Sequence, residues 1–393
     1  MIDIDIRALS YALLNQDIQE RLTTIRLLKN IGLSDFIDVS FDYPQSDFYM
    51  FNPPASFGTY SICSLCDYSQ TLILCDDYLT DKRQIGGRPL AILDLNVISN
   101  INKSMRKQEY PSAVDGDNLS LLMEYLHSNQ YEFILSPALG ERAAQKGEFR
   151  EDIQSDMIDN FMKYLNLSNK QDLHQIVSLS PDDTEKKRLL FDYSINYRSS
   201  YVDKYLDRHY LVILCLVTKA FIIKFIEKPN NPALELYNYC LKELVNLDPE
   251  LTVLSLWLNN DERANKTFEK LQPGTKNIIE VLKNVSWDIY HLRLVESYFT
   301  IQRNDDTPDM ILFPYFICRD IGLTRYFSLN PVIKLLVVNG TTEIIRKYSV
   351  KDFDLPFSSN KDIEDRINAI KEKDLKSEFI KLMSIIQNTF HSV

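Results

Sequence analysis

Two stretches of this chain, 88–148 and 280–340, alternate short apolar runs with amphipathic ones, and the residues between them, 150–279, read as helix almost throughout. Strand, helix, strand is the rhythm of parallel pairing, because parallel neighbours cannot be joined by a tight turn and need a crossover. The expected fold is α/β: a parallel sheet with helices on its faces, its strands drawn from both sides of a long helical insertion. In such a sheet the C-terminal ends of strands and the N-termini of helices share one edge, and ligands bind there. Side chains at those ends are therefore the place to look for chemistry.

The first stretch opens with "RPLAILDLNVIS", a strand running into a helix, and "NLSLLMEYLHSN" is an amphipathic helix. "YEFILSPALGERAAQ" reads as a strand, a turn at Ser136-Pro137 and a helix opening near Leu139. The second stretch offers a helix in "VSWDIYHLRLVESYF", a strand and turn in "MILFPYFICRDIGLTRYF", and a further strand in "VIKLLVVNG". Ahead of them, Leu9, Leu13, Leu14, Ile18, Leu22, Ile25 and Leu28 recur at helical spacing up to a stop at Gly32, and residues 40–90 look like a small β-rich or irregular part. Two charged amphipathic helices close the chain. The organisation expected is an N-terminal accessory region (1–87), a core from 88–149 and 280–345, a helical insertion (150–279) and C-terminal helices (346–393).

Composition narrows the function. A formal net charge of -11 argues against broad attraction to nucleic acid, while leaving room for a local basic groove or for cations that mask acids. With ten glycines and neither GxxxxGK nor GxGxxG, no phosphate-cradling loop is legible. "HYLVILCLVTKAFIIKFIEK" is interrupted by Lys219 and Lys224 and reads as a buried helix, and the acidic start "MIDIDIRALS" carries no signal pattern, so a cytoplasmic protein with no membrane association is expected. Cys63 and Cys66 form a CxxC with Cys75 nearby, but no second pair completes a zinc site, and reduced, buried thiols are the default.

Four carboxylates fall at equivalent places. Asp94 ends the first strand inside an apolar run, where an unused charge is costly. Glu141 follows the strand "FILS"; Asp288 is placed at a helix start with Ser286 as N-cap; Asp320 ends the strand "LFPYFIC". Each has an ordinary alternative: a turn residue, a first-turn helix acid, a match to the helix dipole, or a surface pair with Arg319 or Arg325. Their common placement on one sheet edge favours convergence. Four acids packed together repel and raise one another's pKa values, and divalent cations with oxygen-loving coordination relieve that repulsion. Such a site, with Mg²⁺ or Mn²⁺, polarises a phosphodiester and activates water.

These residues resemble the PIN domain family of metal-dependent ribonucleases. "AILDLNVIS" is similar to the family's opening strand, apolar-apolar-Asp-Thr-Asn-apolar-apolar, with Leu95 in place of Thr and with Asp94 and Asn96 kept. "ILSPALGER" resembles the setting of the second acid, "WDIYHLRLV" that of the third, and "FICRDIGL" that of the fourth, with Cys318 where Thr is common; Asp305, Asp306 and Asp309 compete with Asp320 for that last place. The resemblance covers 88–148 and 280–340. It implies a PIN-like α/β/α sandwich with a central parallel sheet and endonucleolytic cleavage of RNA that leaves a 5′-phosphate. It further implies Asp94 as a central metal ligand, Glu141 and Asp288 completing the site, Asp320 assisting a second ion or orienting water, and Asn96 holding a carboxylate by a hydrogen bond.

Lys103, Arg106 and Lys107 after Asp94, and Arg142 and Lys146 after Glu141, are candidates for neutralising an RNA backbone, equally readable as ordinary exposed helix charges. His291, one turn from Asp288, reads first as a packing residue. The sum is an endoribonuclease of the kind found in toxin or anti-phage modules, with RNA as partner and room for a regulatory protein and a homo-oligomer. The alternative is a catalytically inactive PIN-like scaffold that binds RNA or protein.

Overall fold

The strands, in chain order, are β1 (Phe36–Ser40), β2 (Ser56–Phe57), β3 (Tyr60–Ser64), β4 (Leu72–Leu74), β5 (Ile85–Leu93), β6 (Glu132–Ile134), β7 (Ile301–Gln302), β8 (Asp309–Cys318), β9 (Val332–Val338) and β10 (Thr341–Arg346). The computed structural model describes residues 9, 12–13, 16–30, 36–41, 56–66, 72–74, 85–110, 112–146, 151–167, 170, 173, 184, 188–189, 200–244, 248–302, 309–338, 341–356, 360–370 and 373–390. Six of these strands form one sheet, in the order β2-β3-β8-β5-β6 with β7 on β8, and four form another, β10-β9-β1-β4.

The first sheet is mixed, which corrects the expectation of a parallel one. Its centre is parallel, β5 pairing with β6 and with β8. β3 and β7 run antiparallel to β8. The centre behaves as a doubly covered sheet demands: Leu90–Leu93 and Tyr315–Cys318 are all buried. Pro89 and Pro314 lie inside these strands, but each stands one residue outside the pairing of the outer neighbour, which begins at Leu90 with β6 and ends at Tyr315 with β3. A donor aimed at that neighbour would have met no acceptor there, so the missing N–H is tolerated.

The second sheet is antiparallel throughout. It ties the two ends of the chain together, since β1 lies between β4 and β9. Residues 40–90, read as one β-rich part, are thus divided: β2 and β3 extend the mixed sheet and β4 the antiparallel one.

The helices are α1 (Ile18–Asn30), α2 (Leu95–Lys107), α3 (Ala113–Ser128), α4 (Ser136–Lys146), α5 (Glu151–Leu165), α6 (Ser200–Ile222), α7 (Pro232–Glu243), α8 (Asp248–Leu258), α9 (Glu262–Thr267), α10 (Ile278–Ser297), α11 (Ile321–Leu329), α12 (Asn360–Ile370) and α13 (Leu375–Phe390). α1 packs Ile25 and Leu28 onto Leu74, Leu336 and Val338 of the antiparallel sheet; the Gly32 stop lies outside the described residues. α6 and the π-helical turn that continues it (Ile223–Glu227) give a segment, Arg208–Glu227, long and apolar enough to cross a membrane by length and composition alone. Here it is a core element: from Val212 to Ile223 every residue except Lys219 is buried, and it packs against α10 and α13. The two lysines that interrupt it reach polar partners, Lys219 on Glu227 (2.6 Å) and Lys224 on the Asn260 side chain (3.0 Å).

Candidate metal centre

Asp94 has two duties in the backbone. Its N–H donates to the Ile317 carbonyl (2.9 Å), extending the β5–β8 ladder by one residue, and its carbonyl accepts from Val97 and Ile98, opening α2. Its side chain caps that helix, accepting from the Asn96 N–H, and is held further by Asn96 Nδ2 at 3.0 Å. Asn96 therefore touches the carboxylate it is expected to hold. Because β5 and β8 are parallel with Leu93 opposite Ile317, the residues after each strand emerge at the same edge. Asp320 is the counterpart on β8. It caps α11 through Oδ1, which accepts from Gly322 N (2.6 Å) and Leu323 N (3.3 Å). A Cβ at Gly322 would lie 2.9 Å from Asp320 Oδ1, so glycine lets this carboxylate sit close over the helix start without shifting.

β6 ends at Ile134 and α4 begins at Ser136, earlier than the Leu139 expected, with Pro137 in its first turn. Glu141 is therefore in the second turn. Asp288 is not at a helix start. α10 begins at Ile278, and Ser286, expected as a cap, instead donates back to the Leu282 carbonyl (2.7 Å) in mid-helix. The difference has a physical cause: Ser followed by an acid suits a cap, but "IIEVLKNV" ahead of it is itself a good helix former. The mid-helix position places Asp288 and His291 three residues apart, on one face.

The donor atoms converge. One ligand atom from each of Asp94, Glu141 and His291 lies within 4.8 Å of the others, and His291 Nε2 is 3.5 Å from Glu141 Oε2. Two donors on one ion at about 2.2 Å each lie about 3 to 4.4 Å apart, so small side-chain movements suffice to close this set on a cation. The donor chemistry fits as well: two carboxylates and an imidazole, with His291 only 3% exposed and its Nδ1 making no hydrogen bond. Among the described residues this is the one group of three or more His, Cys, Asp or Glu side chains so arranged. Cys63 and Cys66 are buried free thiols, Cys63 lying 3.7 Å from Cys318 Sγ, and Cys75 is outside the described residues.

Asp288 and Asp320 complete the acidic edge and line a pocket of about 220 Å³ together with Lys270, Arg325, Phe268 and Tyr326. Electrostatics links them to Asp94. Burial pushes the Asp94 carboxyl up, against the pull of Asn96, and the charge of Asp320 pushes the same way. Burial, then Asp320 and Asp94, push Asp288 up to about 7, with Lys270 opposing. Burial pushes His291 down to about 4, which keeps the imidazole neutral and its lone pair free for a metal. Four acids are thus gathered with one nearby ammonium, Lys270, whose Nζ is 3.6 Å from Asp320 Oδ2.

The basic residues expected to hold RNA fare differently. Lys103, Arg106 and Lys107 lie in the C-terminal half of α2, about 14 to 20 Å along the axis from Asp94 at its start, so they do not flank the acids. Arg106 is paired with Asp156 on α5. Arg142 is half-buried beside Glu141 but turned about 100° around the helix from it, and the Lys146 side chain lies outside the described residues. Asp309 opens β8 and so lies about 30 Å along the strand from Cys318, too far to be the fourth acid; Asp305 and Asp306 are outside the described residues. The cations beside the acids are Lys270 and Arg325, which carried no signal in the sequence. The candidate ligand missed there was His291, whose spacing from Asp288 was the available clue. Comparison with family models, with curated proteins and with solved structures finds no match to this chain.

Proposed function

We propose that this chain is a metal-dependent endoribonuclease of PIN-like design whose reaction centre is the edge formed by Asp94, Glu141, Asp288, Asp320 and His291. The observation that carries the reading is the approach of the Asp94, Glu141 and His291 donor atoms to within 4.8 Å beside two further acids. Asp94, Glu141 and His291 are the residues suited to hold the cation. A divalent ion bound there supplies Lewis-acid polarisation of a phosphoryl oxygen and charge stabilisation at the leaving oxygen. Asp288 makes no hydrogen bond among the described residues and holds its proton to about pH 7, so it suits the general base that takes a proton from attacking water. Asp320, fixed by two backbone N–H groups, orients that water through its other oxygen. Lys270 and Arg325, which line the pocket with Asp288 and Asp320, neutralise the incoming phosphate.

The test is cleavage of a labelled single-stranded RNA with Mn²⁺, with EDTA, and with the Asp94→Asn variant. Cleavage products bearing a 5′-phosphate, abolished by EDTA and reduced at least about a hundredfold by Asp94→Asn, are expected. Cleavage that survives the substitution sinks the proposal. RNA binding without cleavage turns the reading to a scaffold.

A further inference from the structure

We infer that His291 selects the cation: the site binds a first-row transition-metal ion through an imidazole nitrogen and carboxylate oxygens, in preference to Mg²⁺. This rests on the proposed function only in taking the cluster as a cation site, and it names the class of ion.

The observations are geometric. His291 is on α10, packed between the Trp287 and Phe316 rings, with ring centroids 5.7 and 5.3 Å away. Those two rings fix the plane of the imidazole. Its Nε2 is aimed at Glu141 Oε2 across 3.5 Å, longer than a good hydrogen bond and consistent with two donors on a common ion. Its Nδ1 is buried without a hydrogen-bond partner. A neutral imidazole has one N–H and one lone pair; with the proton on the buried Nδ1, the lone pair sits on Nε2 and faces Glu141 and the other ligand atoms of the cluster. His127 is exposed near the end of α3, and His209 feels the charge of Arg293 rather than that of the acids; neither competes for the role.

The chemistry follows from the donor set. Mg²⁺ demands oxygen ligands in near-ideal octahedra and gives up water reluctantly, so a nitrogen donor bound directly to the ion disfavours it. Imidazole suits the later first-row ions, whose affinities rise along the series from Mn²⁺. Exchanging one carboxylate of an all-oxygen cluster for His291 therefore shifts preference toward transition ions while Asp94 and Glu141 still supply the negative charge.

The experiment is Mn²⁺ binding to the full chain, read by electron paramagnetic resonance, with Mg²⁺ as competitor. Pulsed measurements on protein carrying ¹⁵N-labelled histidine and on unlabelled protein report whether an imidazole nitrogen is coupled to bound Mn²⁺, with no substitution needed. The expected result is a nitrogen coupling that changes with the label, Mn²⁺ favoured over Mg²⁺ by at least about tenfold, and both features lost in His291→Gln. Bound Mn²⁺ that depends on Asp94 but shows no histidine coupling overturns this inference and leaves the proposed function standing. Mn²⁺ binding unchanged by Asp94→Asn, or no binding at all, overturns both.

Discussion

α10 carries two charged clusters that contrast in every respect but burial. Five to eight residues beyond Asp288, Arg293 bonds Glu250 in bidentate fashion and reaches Glu296 (3.0 Å), and Glu296 is paired in turn with Arg346. Two cations meet two anions. Burial pushes Glu296 up, but Arg346 and Arg293 more than reverse it and hold the carboxyl below its ordinary range. Arg293 and Asp288 point about 140° apart on the helix, so the balanced network and the acidic edge are separate environments on one element. At the acidic edge, among the described residues, four carboxylates are met by Lys270 and Arg325, both partly exposed, and both Asp94 and Asp288 are pushed up. Evolution of a core under folding constraints alone leads to the first pattern, because buried charge is tolerated when paired. The second pattern leaves acidic charge uncompensated, which protonation of Asp288 relieves below about pH 7 and which a bound cation would relieve above it.

The contrast is broken most severely on the balanced side. Arg346→Ala leaves Glu296 buried with half its partners, and such losses cost about 3–5 kcal/mol, so a large fall in the urea midpoint is expected. At the acidic edge the sign reverses. Asp288→Asn removes a group whose pKa rises from 3.8 to about 7, and at about 1.4 kcal/mol per unit the metal-free variant gains roughly 2–4 kcal/mol at pH 8. A destabilised Asp288→Asn protein at that pH contradicts the reading of the edge as repulsive.

The same shift predicts a pH trend of intermediate size. Unfolded, Asp288 releases its proton near pH 4; folded, it keeps it to about pH 7. Between those values the folded chain binds more protons, so its contribution to stability, complete below about pH 4, is lost as pH rises through 7. Denaturation of the metal-free protein at pH 5, 6, 7 and 8 is expected to show that loss in the wild type and not in Asp288→Asn. Saturating Mn²⁺ on Asp94, Glu141 and His291 is expected to shrink that loss, because the nearby positive charge lowers the proton affinity of the Asp288 carboxyl. A wild-type profile identical to that of the variant ends the argument.

These two environments also differed in how far sequence revealed them. Asp94 and Asp320 were legible because each stands at the end of a long apolar run, where the strand pattern itself fixes the edge it reaches. Glu141 was legible from the strand before it, though α4 starts earlier than the turn at Ser136-Pro137 implied. Asp288 reaches the edge by a different route from the one its sequence suggests: its helix starts at Ile278, and helical periodicity gives no start where a good helix former precedes a cap-like Ser. The Arg293 network was invisible, since Glu250, Arg346 and Glu296 come from three distant segments with no pattern among them. The antiparallel sheet was half legible. "VIKLLVVNG" shows β9, but β10 is charged, and Asp38 and Lys334, both fully buried and 3.0 Å apart across β1 and β9, hide the strand signal by putting charges where apolar residues are expected.

The smallest effect expected separates the basic residues that sequence suggested from those that geometry supplies. Lys103, Arg106 and Lys107 are exposed at the far end of α2, and Arg106 is already paired with Asp156 at the surface. Exposed pairs of this kind contribute about 0–1 kcal/mol, so replacing all three with alanine should leave stability within that range. It should also leave RNA affinity within about twofold and its salt dependence unchanged, because only cations that neutralise phosphates release counterions on binding. Lys270→Ala and Arg325→Ala are expected to act on the reaction instead, weakening substrate capture and flattening its salt dependence by about one unit each. The two lysine-and-arginine sets are thus distinguished by the slope of log affinity against log salt. If the α2 triple variant changes that slope while Lys270→Ala does not, the strand of RNA runs along α2, and the pocket beside Asp288 and Asp320 is not where the phosphate enters.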